Sequence, residues 1–116
     1  MTNDLVFVAG RALLALAFIG PGSLHLFDGW RARGLSAAVA FAAVELAAGL
    51  ALLLGWQARW IALALSIFLL VDAFASHAFW SAALADRSGQ ALHFFKNLAL
   101  SGGFVLLAAV AAADAR

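Results

Sequence analysis

Residues 35–54 form the run LSAAVAFAAVELAAGLALLL, in which Glu45 is the only ionisable side chain. A helix needs about 20 predominantly apolar residues to cross about 30 Å of hydrocarbon. Inside a bilayer each unpaired backbone group is costly, so a single run of this kind crosses as a helix, which satisfies its own backbone hydrogen bonds. This stretch therefore predicts a transmembrane helix.

Three further runs of this type occur, at residues 5–27, 58–78 and 91–112, and short polar or glycine-containing stretches separate the four. Connections this short make consecutive helices antiparallel neighbours. The predicted fold class is all-α, an integral membrane antiparallel four-helix bundle. We expect one transmembrane domain over residues 1–116, with both termini on the same side of the membrane.

The composition supports a membrane protein and excludes several other classes. The chain is 66% hydrophobic and 11% charged, whereas soluble domains are about 25% charged. A net charge of +1 without a basic cluster argues against nucleic acid as a partner. The absence of cysteine excludes disulfides, thiolate metal sites and iron–sulfur clusters in this chain. The lipid bilayer is the predicted partner, and the preference for Arg over Lys favours a bacterial inner membrane.

Tryptophans lie at the ends of the predicted spans. Trp30 and Trp80 flank one predicted membrane face, and Trp56 and Trp60 flank the other. Amphipathic indole rings favour this interface. The arginines are divided equally between the two faces, so the positive-inside rule leaves the orientation open.

Each predicted span carries one charged residue: Arg11, Glu45, Asp72 and Lys96. A charge at mid-bilayer costs about 2.5–3.5 kcal/mol on insertion scales, so we expect these four to form an intramembrane network. Arg11 with Glu45 and Asp72 with Lys96 are the natural pairs, and Lys96 with Glu45 is an alternative. Such pairs either fix the register of the helices or line a polar cavity that binds a ligand or relays protons.

The three histidines, His25, His77 and His93, all lie toward the predicted face opposite the termini. Histidine titrates near neutrality and ligates metals, which makes these residues the only metal-ligand candidates. No spacing typical of a metal site supports that interpretation, and interfacial histidines bound to headgroups or backbone are the simpler explanation. We therefore predict no metal site.

Several sequence motifs resemble those of the DoxX family. They are Gly10-Arg11 through Gly22, Glu45-Leu46 through Gly55, HAFW at 77–80, and HFFKNLALSGG at 93–103, of which FKNLALSGG is the most specific. The resemblance covers nearly the whole chain and implies a small four-helix bacterial membrane protein with a quinone-linked or redox-associated role. Its motif positions are Arg11, Glu45, His77, Trp80, Lys96 and Asn97. His25 stands where many members have a lysine, which puts a role for that position in doubt.

Three functions remain open from the sequence. In the first, a quinone, the only candidate cofactor, binds near His77, Trp80, His93, Lys96 and Asn97 and exchanges protons with Glu45 or Asp72, as part of an oxidoreductase whose electrons come from a partner protein. In the second, the chain is a non-catalytic scaffold that docks a soluble redox enzyme through a loop at 81–90 and the basic turn at 30–33. The third is a transporter of protons or small solutes. Catalytic residues are not identified, and a face rich in alanine and glycine also fits a homo-oligomer.

Overall fold

A computed structural model describes residues 4–114 and shows four long helices. The all-α class is confirmed, and the described residues contain no strand. The helices are α1 (Leu5–Arg33), α2 (Ala37–Leu54), α3 (Ala58–Ser76) and α4 (Leu84–Asp114). A short 3₁₀ helix at Phe79–Ser81 precedes α4.

Local capping explains where the first two helices begin and end. The Asp4 carboxylate accepts from the Val6 N–H at 2.8 Å, and the Ser36 hydroxyl accepts from the Val39 N–H at 3.2 Å. Both side chains satisfy donors that the first helical turn leaves unpaired. Helix α2 ends at Gly55, whose φ of 80° is left-handed and therefore favours glycine.

Two helices are longer than the apolar runs that predicted them. Helix α1 continues past Phe27 to Arg33 and ends where Gly34 adopts a φ of 66°. Helix α4 begins at Leu84, so the predicted loop at 81–90 is largely helical. An apolar run marks the part of a helix that suits hydrocarbon, whereas caps and backbone conformation decide where the helix itself ends.

The chain divides into two compact units, residues 1–61 and 62–116. In the first unit α1 and α2 are antiparallel and approach closely at two buried glycines. A Cβ atom on Gly22 would lie 2.9 Å from the Leu46 backbone nitrogen, and one on Gly49 would lie 3.0 Å from the Ile19 backbone nitrogen. Small residues thus let two helices meet almost backbone to backbone.

In the second unit α3 and α4 are antiparallel, and polar side chains join them. Residues 90, 94, 97, 101, 104 and 108 of α4 follow one another at alternating spacings of four and three along this seam. Phe94, Ser101, Phe104 and Ala108 are buried, and Gln90 and Asn97 are half-buried. That spacing is the heptad pattern of helices that pack side by side.

All four helices are long and apolar enough to cross a membrane, which suggests a multi-pass membrane protein. Large apolar side chains are widely exposed, for example Leu13 at 69%, Ile67 at 63% and Leu106 at 69%. A soluble monomer rarely exposes contiguous apolar surface on this scale, so contact with lipid is the natural explanation. The four tryptophans are also more than half exposed, as side chains at a membrane interface would be.

Candidate functional site

The carboxylate of Asp72 is the centre of a polar network in the second unit. The Ser76 hydroxyl donates to Oδ1 at 2.8 Å, and the Asn97 amide donates to Oδ2 at 2.9 Å. The same Asn97 nitrogen also donates to the Leu69 carbonyl at 3.3 Å. Since an amide nitrogen carries two hydrogens, these two acceptors use both of them. The arrangement holds the carboxyl group of Asp72 between α3 and α4, four residues before the end of α3.

His77 continues this network toward α4. Its Nδ1 lies 2.8 Å from Oε1 of Gln90, whose Nε2 donates to the Ser76 carbonyl at 3.4 Å. Because that second bond orients the amide, the Gln90 oxygen accepts and Nδ1 of His77 carries the hydrogen. The Nε2 atom of His77 lies 3.6 Å from Oδ2 of Asp72, an ion pair when the ring carries both protons.

The His93 ring extends the network to the surface. It stacks on the His77 ring with centroids 5.1 Å apart and planes at 29°. His93 is exposed, whereas the His77 side chain is 24% exposed and that of Asp72 is 31% exposed. Ionisable groups therefore follow one another from within α3 to an exposed position on α4.

An open groove of about 480 Å³ begins at this point. Its lining consists of Ala82, Ala83, Ala85, Asp86, Gly89, Gln90 and His93. Gln90 and His93 thus belong both to the groove and to the chain of contacts that ends at Asp72.

An aromatic cluster holds the 3₁₀ segment against α4 and so positions the groove. Phe94 is at its centre, with ring centroids 5.2 Å from Phe74, 5.4 Å from Phe79 and 5.5 Å from Trp80. The rings of these three pairs meet edge to face or steeply tilted, an arrangement that favours aromatic packing. Trp80, a predicted ligand-binding residue, is part of this cluster and does not line the groove.

A second polar contact joins α3 and α4 deeper along the seam. The hydroxyls of Ser66 and Ser101 are 2.7 Å apart, and Ser101 Oγ donates to the Ser66 carbonyl at 3.1 Å. Because Ser101 has one hydroxyl hydrogen, Ser66 supplies the hydrogen between the two hydroxyls. Both side chains are buried.

The predicted charge network differs from the observed contacts. No ion pair joins Asp72 to Lys96 in the part of the chain that the structure describes, and Lys96 is exposed on α4. Adjacent positions on a helix point about 100° apart, so the seam that receives Asn97 turns Lys96 away from it. The predicted Asp72–Lys96 pair is therefore wrong, and uncharged and histidine side chains contact Asp72 instead.

Arg11 contacts the end of α2. Its Nη2 donates to the Leu53 carbonyl at 3.4 Å, and a Cβ on Gly55 would lie 2.9 Å from its Nη1. A cation at this position favourably meets the negative end of the helix dipole. Glu45 is half-buried on the same helix, about 12 Å along the axis from Leu53. The half-buried Arg11 guanidinium also has an Nε for which the described residues provide no hydrogen-bond partner.

No group of three His, Cys, Asp or Glu side chains within residues 4–114 is arranged to hold a metal ion. His77 and His93 stack on each other. His25 lies exposed on α1, in the first unit.

Sequence reasoning missed two residues of the site, Ser76 and Gln90. The apolar runs predict a loop at Gln90, although the heptad spacing of α4 extends from Phe94 back to this residue. Ser76 lies four residues after Asp72, a helical spacing that brings the two side chains together.

No protein-family model, no curated protein and no solved structure matches the chain, so the resemblance to the DoxX family depends on the sequence motifs.

Proposed function

We propose that the chain is a DoxX-like, redox-associated protein of the bacterial inner membrane that binds a quinone head group in the groove beside His93. Both termini lie on the same side of that membrane. The observation that carries the proposal is the line of contacts from Asp72 through His77 to the groove residues Gln90 and His93. Quinone chemistry takes up or releases protons with electrons, and such a line provides groups that exchange protons.

Individual residues have separable roles in this proposal. His93 has an exposed ring at the groove and provides a donor for a quinone carbonyl. Lys96 lies one turn further along α4 and is exposed, so its ammonium group is available to stabilise negative charge on a reduced ring. Asn97 is not assigned a ligand contact, because both its amide hydrogens bind Leu69 and Asp72.

In this proposal a redox partner protein supplies or receives the electrons, while this chain holds the quinone and moves the protons.

Binding of a short-chain quinone analogue to the purified protein in lipid nanodiscs tests the proposal. We expect saturable quenching of tryptophan fluorescence, with Kd raised about fivefold or more in His93→Leu and in Lys96→Leu, since each variant loses a hydrogen bond or charge contact. Arg87→Leu is the matched control, because Arg87 is also exposed on α4 but does not line the groove. Absence of saturable binding to the unmodified protein would refute the proposal, as would an equal loss of affinity in the control.

A docking scaffold is the second candidate, and the length of α4 favours it. Residues 84–90 precede the apolar part of this helix and extend it by about 10 Å. Asp86 and Arg87 are exposed there. If a redox enzyme docks at this segment, Asp86→Lys with Arg87→Glu abolishes its co-purification while His93→Leu leaves it intact. Retention of the enzyme by the charge-reversed variant would refute docking at this segment.

A further inference from the structure

The first unit has a groove of its own, of about 480 Å³, between α1 and α2. It is lined by Ser23, Leu26, Phe27, Trp30, Arg31 and Leu46. Five of these residues belong to α1, and successive members are three, one, three and one positions apart in the sequence. This spacing places them along one stripe of the helix. The stripe is about 12 Å long from Ser23 to Arg31.

The two ends of this groove differ in chemistry. Leu46 lies against Gly22 and therefore marks the inner end, near the middle of α1. Trp30 and Arg31 mark the outer end, in the last turns of the helix. The surface between these ends is almost entirely apolar, and the Arg31 guanidinium lies 5.5 Å from the centroid of the Phe27 ring.

The position of the groove relative to the membrane follows from the same residues. Helix α1 is a candidate membrane span, and its sequence changes from apolar to polar at Asp28. A half-exposed tryptophan at position 30 is typical of the interface between hydrocarbon and headgroups. The apolar part of the groove therefore faces acyl chains, and Arg31 lies at the level of the phosphates.

We propose that this groove binds one anionic phospholipid, whose acyl chain lies along Leu26 and Phe27 and whose phosphate contacts Arg31. The charge of the guanidinium complements a phosphate, and its planar donors match phosphate oxygens in pairs. An apolar groove that opens to a basic residue at headgroup level suits a lipid better than a soluble anion, because a soluble anion would leave the groove unfilled. The site is in the first unit and does not depend on quinone binding.

Native mass spectrometry of the detergent-purified protein tests the assignment. The protein is titrated with equimolar phosphatidylglycerol and phosphatidylcholine, and the ratio of the two adducts is measured. Phosphatidylcholine carries the same phosphate beside a trimethylammonium group, which repels the guanidinium, so we expect phosphatidylglycerol to be preferred. Arg31→Gln should lower that preference about tenfold, the lower range for loss of a charge-assisted hydrogen bond. Arg31→Lys should keep most of the preference, because it retains the charge.

Arg33→Gln is the matched control, since Arg33 is in the same final turn but does not line the groove. We expect it to keep the preference, and inorganic phosphate at millimolar concentration not to displace the lipid. Equal loss in Arg31→Gln and Arg33→Gln would mean that general surface charge retains the lipid, which overturns the proposal. Absence of any preference in the unmodified protein overturns it too, and so does a lipid-free dimer, in which a second copy would cover the groove.

Discussion

Alanine at position 22 would place a methyl group against the main chain of α2. The new Cβ would lie 2.9 Å from the Leu46 nitrogen, 3.2 Å from its Cα and 3.3 Å from its Cβ. Favourable contacts between such atoms begin at about 3.5 Å, so the two helices would have to separate by roughly 0.5 Å. Two of the three contacted atoms are backbone, which means that no rotamer change can relieve the contact.

The expected change in the free energy of unfolding for Gly22→Ala is the sum of two opposing contributions. Overpacking of a close contact typically costs about 1–3 kcal/mol. Alanine in a helix interior is favoured over glycine by about 0.8–1.0 kcal/mol, which offsets part of that loss. Gly10→Ala isolates the packing term, because a Cβ at position 10 of the same helix would meet nothing within 4 Å. We expect Gly22→Ala to be less stable than Gly10→Ala by about 1–3 kcal/mol.

The measurement is the free energy of unfolding in mixed micelles with a rising fraction of sodium dodecyl sulfate, followed by tryptophan fluorescence. Gly49→Ala provides a second test, since its Cβ would lie 2.7 Å from Ile19 Cγ1 and 3.0 Å from the Ile19 nitrogen. One separation of α1 from α2 relieves both contacts, so the double variant should lose less than the sum of the single variants. Equal stability of Gly22→Ala and Gly10→Ala, within about 0.5 kcal/mol, would show that the helices are not in close contact.

Three further predictions use the same unfolding assay. Ser101→Ala should lower the free energy of unfolding by about 1 kcal/mol more than Ser66→Ala does. The reason is that Ser101 still donates to the Ser66 carbonyl when only the Ser66 hydroxyl is lost. The reverse order would contradict the assigned donors. Asn97→Ala should cost about 1–3 kcal/mol and couple to Asp72→Ala by at least about 0.5 kcal/mol, and strictly additive effects would rule out their contact. Gly55→Ala should cost about 1–2 kcal/mol because of its left-handed φ of 80°, and an unchanged stability would be incompatible with that cap.

The sequence predicted the number and type of helices because each apolar run allows only one backbone solution in lipid. It also predicted the first residue of α1 and of α3 and the last residue of α2, where Gly55 provides the cap. Hydrophobicity could not predict the polar ends of α1 and α4, since an exposed helical turn in water requires no apolar residue. The terminus of α1 depended on the positive φ of Gly34, which the sequence permits but does not require.

The sequence indicates most of the residues of the candidate site better than it indicates which of them contact one another. The expected ligand-binding set is His77, Trp80, His93, Lys96 and Asn97, with Glu45 or Asp72 as the proton-exchanging group. Of these residues, the structure joins Asp72, His77, His93 and Asn97 in one line of contacts. The predicted Asp72–Lys96 pair is wrong because opposite charge alone does not decide which residue of α4 contacts Asp72. The partner is decided by which α4 residue faces the seam, and the heptad from Phe94 selects Asn97 instead.

Asp72 has a side chain whose chemistry exceeds what packing of α3 against α4 requires. Hydrogen bonds between uncharged side chains, as between Ser66 and Ser101, already fix the register of α3 against α4. A carboxyl side chain in the same seam can ionise, and burying a charge costs more than burying the amide of an asparagine. Ser76 and Asn97 meet part of that cost, and His77 faces the same carboxylate through a nitrogen that can carry a proton. A titratable group that the register does not require, and that is joined through His77 to the exposed His93, supports the proposed proton exchange over packing alone.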